Sequence, residues 1–296
     1  MSEKGSDATH LVTVLRVADL NPGLRRVTFG GPGLEGWTST GSPDEYFRLV
    51  FPAPGEELPQ VPQVVGGNLD YSSIDMSRMR TYTVRAHDTA EASVDVDFVI
   101  HEGGVAATWA RQAAAGQQVV CNRPEAMYAA PPALEWQILV ADLAGLPALC
   151  RIVEATPRQV QIRAVVEVPD EEHRLDLPQH PLLDITWVVG GNGRGPSRLE
   201  QVVRSLPRPD GVGYTWVAGE ARVLRAVRAH LRKELKLPTT AYKTVGYWVE
   251  NGEEWEARFE ALPEDVRTRL ESMWEGDRDP EEIEDEYDAE LTRLGL

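Results

Sequence analysis

A chain of 296 residues is about twice as long as one typical domain, which predicts two domains. Hydrophobic residues make up 42% of the chain and charged residues 26%, so it is neither wholly disordered nor collagen-like and can form packed cores. The net charge of −17 excludes a general binder of nucleic acid or of anionic membranes, because both classes need a cationic surface.

The first 130 residues alternate short β-rich runs with Gly- and Pro-rich turns. Several short strands without intervening helices predict an antiparallel barrel or sandwich. Only one helix, from Ala106 to Ala115, interrupts it, and the chain enters this helix through Gly103 and Gly104. The predicted strands cover residues 11–15, 25–29, 46–51, 81–85 and 94–100.

Within this region, the strand from Arg80 to Arg85 places Arg80, Tyr82 and Val84 on one face and Thr81, Thr83 and Arg85 on the other. An arginine fork can hold a pyrophosphate, a tyrosine ring can stack on a flat heterocycle, and a threonine can hydrogen-bond a ring nitrogen. An ordinary strand with charged ends is the alternative interpretation.

A second candidate element follows the last of these strands. His101 and Glu102 lead into Gly103 and Gly104, and small residues then open the helix. Such a turn lets backbone N–H groups approach a phosphate, although Gly-Gly can also be a plain turn. Together, the strand and the turn predict a dinucleotide pocket.

After Pro131 and Pro132, strands alternate with helices, which predicts a mostly parallel, doubly wound α/β sheet covered on both faces. The predicted strands are 138–141, 161–168, 185–189, 214–218 and 242–249, and the predicted helices are 146–155, 196–205 and 221–235. We interpret residues 1–132 as a first domain, residues 133–251 as a second and residues 252–296 as an acidic helical extension.

The extension has 17 acidic and 5 basic residues, whereas the rest of the chain has a net charge of only −5. Its first part has apolar residues at helical spacing, which predicts an amphipathic helix: Trp255, Phe259, Leu262, Val266, Leu270 and Trp274. Residues 277–290 are mostly charged, and we expect a solvated acidic face there. A calcium loop beginning at Asp277 is excluded because Glu282 stands where such a loop needs glycine.

The cysteines and the apolar segments indicate where the protein works. Cys121 and Cys150 are too few for a disulfide framework or a four-cysteine metal site, so a reducing compartment is the simpler interpretation. Residues 1–7 are polar and acidic, unlike a signal peptide. The most apolar stretch, residues 136–150, is interrupted by Asp142 and is too short to cross a bilayer of about 30 Å as a helix. We therefore expect a cytoplasmic protein that does not insert into membranes.

Over residues 10–251 the sequence resembles the siderophore-interacting proteins, which are flavin-dependent ferric-siderophore reductases of the ferredoxin-reductase type. The motifs that carry the resemblance are Arg80-Thr81-Tyr82-Thr83-Val84-Arg85, Asp97-Phe98-Val99-Ile100-His101 with Gly103-Gly104 and Trp109-Ala110, Trp216-Val217-Ala218-Gly219-Glu220-Ala221, and Gly246-Tyr247-Trp248. The resemblance implies an antiparallel Greek-key β-barrel that binds FAD and an α/β domain that binds NAD(P)H.

The resemblance also implies roles for individual residues. Arg80 would bind the FAD pyrophosphate, while Tyr82 and Thr83 would be the catalytic residues, packing on the isoalloxazine and contacting its N5 edge. Arg48 and Arg123 would attract an anionic ferric siderophore, and no protein metal ligands are required. The implied cofactor-binding residues are Arg80, Tyr82, Thr83, Val84, His101, Gly103, Gly104, Ala106, Ala107, Thr108, Asp142, Gly219 and Glu220. We expect a monomer in which deletion of residues 277–296 spares flavin binding.

Five residues depart from the usual family pattern: Val105, Ala107, Leu143, Ala144 and Val249. They keep two alternatives open, a flavin reductase with another electron acceptor and a binding protein with weakened turnover. The choice between NADH and NADPH also stays open. Glu167 could accept the ribose hydroxyls, whereas Arg194 or Arg198 could meet a 2′-phosphate.

Two further features have structural interpretations. The segment Gly190 to Ser197 mimics a phosphate-binding loop, but Pro196 replaces its lysine. His230 lies in a basic helix, and we expect it on the surface.

Overall fold

Two β-sheets of different kinds form the body of the protein in a computed structural model that describes residues 9–66, 68–274 and 278–296. The polar start at residues 1–7 and the predicted beginning of the charged run at Asp277 lie outside the described residues. Among the described residues, no helix has both the length and the apolarity needed to cross a bilayer.

The N-terminal sheet is antiparallel and has seven strands, which confirms the predicted class of this domain. Its strand order is β6-β3-β9-β1-β2-β8-β7, and β4 and β5 form a separate hairpin. The strands are β1 (His10–Asn21), β2 (Leu24–Gly30), β3 (Tyr46–Val50), β4 (Gln63–Val65), β5 (Asn68–Asp70), β6 (Met79–Thr83), β7 (Ala86–Asp88), β8 (Ser93–Val99) and β9 (Gln118–Cys121).

Aromatic and β-branched side chains from these strands form the core of the domain, and helix α1 (Val105–Arg111) packs against this core. The ring of Trp109 from this helix stacks on Phe29, with the centroids 6.0 Å apart. The helix ends earlier than predicted, because Gln112 leaves helical geometry at φ −110° and ψ 8°. Helix α1 also lies beside the short turn Met76–Arg78, which precedes β6.

The second sheet is parallel, with the strand order β12-β11-β10-β13-β14, which confirms the doubly wound prediction. Helix α2 packs on one face, while α3 and α4 pack on the other. The strands are β10 (Trp136–Ala141), β11 (Gln161–Val168), β12 (Leu183–Val189), β13 (Gly213–Glu220) and β14 (Tyr242–Trp248), and the helices are α2 (Leu146–Ala155), α3 (Leu199–Ser205) and α4 (Ala221–Ala229).

After α4, the chain continues as a single π-helical turn from His230 to Glu234, where an α-helix to residue 235 was predicted. His230 is only 8% exposed, so the expectation that it lies on the surface is wrong. The reason is local, because Glu234 and Arg204 both contact its ring nitrogen Nδ1 at 2.9 Å.

The C-terminal extension forms three helices, α5 (Gly252–Glu260), α6 (Glu264–Ser272) and α7 (Pro280–Arg293). They share a small apolar core in which Leu270, Leu291 and Leu296 are buried. The acidic face of α7 lies against α4 and the π-helical turn. The expectation of a solvated face is therefore wrong for this part of the run, because arginines of the second domain pair with its carboxylates.

Buried polar contacts join the two sheet domains. Arg151 of α2 pairs with the fully buried Glu45 at 3.0 Å and donates to the carbonyl of Val84. Arg85 pairs with Glu154 of α2 at 2.8 Å. These contacts fix α2 against the end of β6 and so hold the two halves of the candidate site together. The division into residues 1–132, 133–251 and 252–296 remains our proposal.

Candidate functional site

The strand β6 presents its side chains on two faces as predicted. Its register pairs Tyr82 with Phe47 and Thr83 with Tyr46 on β3. The ring of Tyr82 lies 4.4 Å from the ring of Phe98, centroid to centroid, at the edge of the barrel core. Burial raises the pKa of the Tyr82 phenol well above its usual value, so this side chain stays neutral at physiological pH.

The guanidinium of Arg80 donates to backbone carbonyls and lies within ion-pairing distance of one carboxylate. Its Nη1 donates to the carbonyl oxygens of Ser77 at 3.1 Å and Met79 at 2.8 Å, while Nη2 lies 3.7 Å from a carboxylate oxygen of Glu256 on α5. The Arg80 side chain is 31% exposed. A fork fixed by the backbone and aimed at a carboxylate suits a pyrophosphate as well, because both are oxyanions. The residues present therefore fit the diphosphate of FAD.

The Gly103-Gly104 turn adopts positive φ angles of 74° and 71°, which favour glycine. A Cβ on Gly103 would meet no atom within 4 Å, so the backbone here faces open space. Ala106 and Ala107 point into the core, whereas Thr108 is exposed. The N–H groups of Ala106 and Ala107 lie in the first helical turn, where the helix itself supplies no acceptor.

The remaining predicted residues of the first domain differ in their exposure to solvent. Thr83 is 8% exposed and lies beside Tyr247 of β14, across the domain boundary. His101 is exposed beside the glycine turn, and its Nδ1 lies 2.8 Å from the carbonyl of Glu102. Val84 is fully buried, and its N–H donates to the carbonyl of Glu45 at 2.9 Å. His101 is therefore accessible beside the glycine turn, whereas Thr83 and Val84 are buried.

Three carboxylates stand at the carboxyl ends of adjacent parallel strands and line one cleft with Trp248. Asp142 accepts from the N–H groups of Ala144 and Gly145, and Glu220 accepts from the N–H groups of Val223 and Glu250. Glu167 accepts from the Ser197 hydroxyl at 2.8 Å and from the N–H of Arg198. Each carboxylate thus satisfies backbone groups before a helix or turn, which is a structural use of residues predicted to touch a nucleotide. The interactions with Glu167 also explain why α3 begins at Leu199 rather than at the predicted residue 196.

Asp142 is the most buried of the three, at 1% exposure. Burial raises its pKa to about 6, and the indole Nε1 of Trp248 donates to it at 2.7 Å. A Cβ on Gly219 would come within 2.7 Å of the same carboxylate, so this strand end requires glycine. Asp142 and Gly219 therefore fix Trp248 at the cleft.

The two arginines predicted to attract the substrate have different surroundings. Nη1 of Arg48 lies 3.2 Å from a carboxylate oxygen of Glu125, and the Arg48 guanidinium lies over the ring of Tyr71. Glu125 also accepts a hydrogen bond from the Tyr46 hydroxyl at 3.0 Å. Arg123 is half-buried, and its Nε has no hydrogen-bond partner among the described residues. The positive charge of Arg48 is thus compensated, whereas Arg123 is the better candidate for an anionic group.

Sequence reasoning missed Glu125, Tyr247, Trp248 and Glu256 as parts of these sites. Gly246-Tyr247-Trp248 was recognised as a motif, but its spacing does not reveal contacts with Thr83 and Asp142. Glu125 and Glu256 carried no signal beyond their charge. Among the described residues, no group of three or more His, Cys, Asp or Glu side chains is arranged to hold a metal ion.

Two family models match the chain: the siderophore-interacting FAD-binding domain at residues 13–128 and the siderophore-interacting protein at residues 134–251. An uncharacterized protein of Mycobacterium tuberculosis is 30% identical over 256 residues, covering 81% of this chain and 89% of that protein. The NADPH-dependent ferric-chelate reductase of Escherichia coli is 29% identical over 240 residues, covering 80% and 91% of the two chains. A siderophore utilization protein from T. fusca has a similar structure, with a TM-score of 0.74, 28% identity and coverage of 82% and 94%.

Proposed function

The chain belongs to the siderophore-interacting protein family, and from this premise we propose that it is an FAD-dependent NAD(P)H oxidoreductase that reduces ferric siderophores. The observation that carries the proposal is the guanidinium of Arg80, which is fixed by two backbone carbonyls and faces the carboxylate of Glu256, two residues before the partly buried ring of Tyr82. It lies within the part of the chain that matches the FAD-binding model.

The chain's own residues then have the following roles. Arg80 binds the pyrophosphate, and the N–H groups of Ala106 and Ala107 beside Gly103 and Gly104 bind phosphate oxygens. Tyr82 would pack on the isoalloxazine through its aromatic ring. His101 and Thr108 are exposed beside the turn and border the same ligand, with the Thr108 hydroxyl available to a phosphate.

Thr83 would contact the N5 edge of a bound isoalloxazine, and its neighbour Tyr247 belongs to the nicotinamide domain. When bound, FAD would supply the redox chemistry, hydride acceptance and one-electron transfer, while these residues hold and orient it. We propose that the nicotinamide nucleotide docks at the cleft of Asp142, Gly219 and Glu220. These residues shape the cleft by holding backbone N–H groups and the indole of Trp248.

One NAD(P)H supplies two electrons and releases one proton, so it reduces two ferric chelates to ferrous ones. Ferrous iron binds hard oxygen donors more weakly than ferric iron does, and reduction therefore frees the metal. Arg123, together with Arg48, is the proposed contact for the chelate. No protein ligand to iron is required in this scheme, because the iron stays on the siderophore until it is reduced.

A second candidate is a flavin reductase that uses another electron acceptor. The observation that favours it is the pairing of Arg48 with Glu125 at 3.2 Å, which reduces the attraction of this surface for an anionic chelate. Val249 and Glu250, at the end of β14, add no positive charge.

An anaerobic absorption titration tests both candidates. We expect the purified protein to bind FAD, to lose the oxidised flavin absorbance on addition of NADH or NADPH, and to regain it on addition of a ferric siderophore. Recovery with quinones or dyes but not with ferric chelates would establish the second candidate. A protein that binds no FAD would contradict both.

The proposal also covers the cellular compartment and the oligomeric state of the protein. Cys121 and Cys150 are buried, free thiols, which suits a reducing cytoplasm. We propose a cytoplasmic monomer, because the residues proposed to bind FAD and the cleft proposed to bind the nicotinamide nucleotide all belong to one chain. Size-exclusion chromatography with light scattering tests the oligomeric state.

A further inference from the structure

The contact between Arg80 and Glu256 comes from a part of the chain outside the family models. The model of the second domain ends at residue 251, and α5 begins at Gly252. One turn into this helix, Glu256 places a carboxylate oxygen 3.7 Å from Nη2 of Arg80. The extension thus adds a charge to the candidate flavin site.

Contacts just before α5 and along its length hold this helix in place. At its start, the N–H of Glu250 donates to Glu220 at 3.1 Å. Along the helix, Trp255 stacks on Phe259 with the ring centroids 5.3 Å apart, and both pack on the apolar core of the extension. The carboxylate of Glu256 is therefore presented to Arg80 by a helix that is packed in place, rather than by a free segment.

The fork of Arg80 has limited capacity for a second anion. Nη1 is used by the carbonyl oxygens of Ser77 and Met79, and Nη2 faces Glu256. An incoming pyrophosphate needs the same N–H groups and carries the same sign of charge as the carboxylate. The two anions repel each other, so Glu256 has to give way when the diphosphate binds.

We propose that Glu256 is a further residue of the flavin site, an internal competitor that occupies Arg80 in place of the FAD pyrophosphate and lowers the affinity for FAD. The inference rests on the proposed function, in which Arg80 binds the pyrophosphate. Binding of FAD then releases Glu256 from Arg80, so the affinity for the cofactor depends on the extension.

The test compares FAD binding by the full chain, by Glu256→Gln and by Glu260→Gln. The control removes the same charge one turn further along the same exposed helix face. Dissociation constants are measured from the quenching of flavin fluorescence at one low ionic strength. Because the pair is exposed, we expect Glu256→Gln to bind FAD about two- to fivefold more tightly and the control to match the full chain.

Riboflavin, which lacks the pyrophosphate, separates the local effect from a general one. We expect its affinity to be the same in Glu256→Gln and in the full chain. An unchanged or weaker FAD affinity in Glu256→Gln, or an equal gain in Glu260→Gln or for riboflavin, overturns the inference while leaving the proposed function intact. If neither the full chain nor Glu256→Gln binds FAD, the proposed function itself fails and the inference fails with it.

Discussion

Arg80 is the residue on which the flavin proposal depends most directly. Replacing it with alanine removes a charged donor that the backbone has fixed toward an anion. Because hydrogen bonds to charged groups are worth about 1.5–3 kcal/mol, we expect Arg80→Ala to weaken FAD binding by about 10- to 100-fold. Fluorescence titration measures the change. Thr81→Ala, an exposed substitution on the other face of β6, is the control, and equal FAD affinities for the two variants would argue against a pyrophosphate at Arg80.

The buried carboxyl group of Asp142 should make the stability of the protein depend on pH, with stability falling as the pH rises. Burial raises its pKa in the folded protein to about 6, above the value of 3.8 expected without burial. Between these values the folded state binds more protons than the unfolded state, so the stabilisation from the protonated form is present at low pH and is lost as the pH rises through about 6. We expect this to lower the free energy of unfolding by up to about 3 kcal/mol across the window.

Asp142→Asn removes this titration and supplies the control. Urea unfolding of both proteins between pH 4 and pH 7 gives the difference in their free energies, in which the other groups cancel. We expect the stability of the natural chain relative to Asp142→Asn to fall over this range. A flat difference would show that Asp142 does not titrate there.

Glu125 sets the charge beside the proposed substrate surface. Because it compensates Arg48 at 3.2 Å, we expect Glu125→Gln to favour anionic substrates. The value of kcat/KM should rise about two- to fivefold for an anionic ferric tris-catecholate and stay unchanged for a neutral ferric trihydroxamate. Steady-state assays at low ionic strength measure both. An equal change for the two chelates would mean that Glu125 acts on something other than substrate charge.

At the level of elements, the sequence predicted best where hydrophobic periodicity and burial coincide. Helix α2 and strand β11 have the predicted bounds, since both carry long buried apolar runs between clear turns. Strands β7 and β9 were not predicted, because three or four residues are too few to show an alternating pattern. Tertiary pairing with β8 and β1, rather than local pattern, gives these strands their structure.

The same distinction applies to the candidate site. The alternation along β6 correctly separated Tyr82 from Thr83, because a strand's period is fixed by its backbone. The carboxylates opposite Arg80 and Arg48 come from distant parts of the chain, so only the packing of the elements reveals them. The capping roles of Asp142 and Glu220 were likewise hidden, because they depend on where each helix begins.

The docking of α7 on α4 depends on a buried cation. Arg228 is 2% exposed and lies 2.6 Å from Asp288, which also pairs with Arg225 at 3.0 Å. Asp288→Asn leaves this buried charge less compensated, and we expect it to cost about 1–3 kcal/mol of stability. Chemical denaturation measures the cost. Glu286→Gln, which removes an acid from an exposed pair with Arg278, is the control, and an equal loss of stability in the two variants would contradict the special role of Arg228.

At the scale of the whole molecule, the extension contacts both domains. Its last helix is bound to α4 of the second domain, and its first helix reaches Arg80 of the first. The buried pair of Glu45 and Arg151 joins the same two domains from another side. The acidic extension is thus part of the folded structure, and its charge is used internally against arginines.

Deletion of residues 277–296 should lower the stability of the protein but leave FAD binding in place. It removes Leu291 and Leu296 from the core around Leu270, and it takes Glu284 and Asp288 away from the buried Arg228. We expect a loss of about 3–5 kcal/mol, because the deletion takes two buried leucines out of the apolar core of the extension, each worth about 1.5–3 kcal/mol. All residues proposed to bind flavin remain, so FAD binding should persist, and it should tighten if α5 loses its support and Glu256 leaves Arg80.

Thermal unfolding and FAD titration on the same truncated protein measure the two effects. A truncated chain that is as stable as the full one would mean that α7 does not brace the second domain. A chain that stays folded at low temperature, as judged by circular dichroism, but binds no FAD would show that α7 supports the flavin site itself. If ion pairs dock α7 on the second domain and Glu256 competes at Arg80, the truncated protein should be less stable and should still bind FAD.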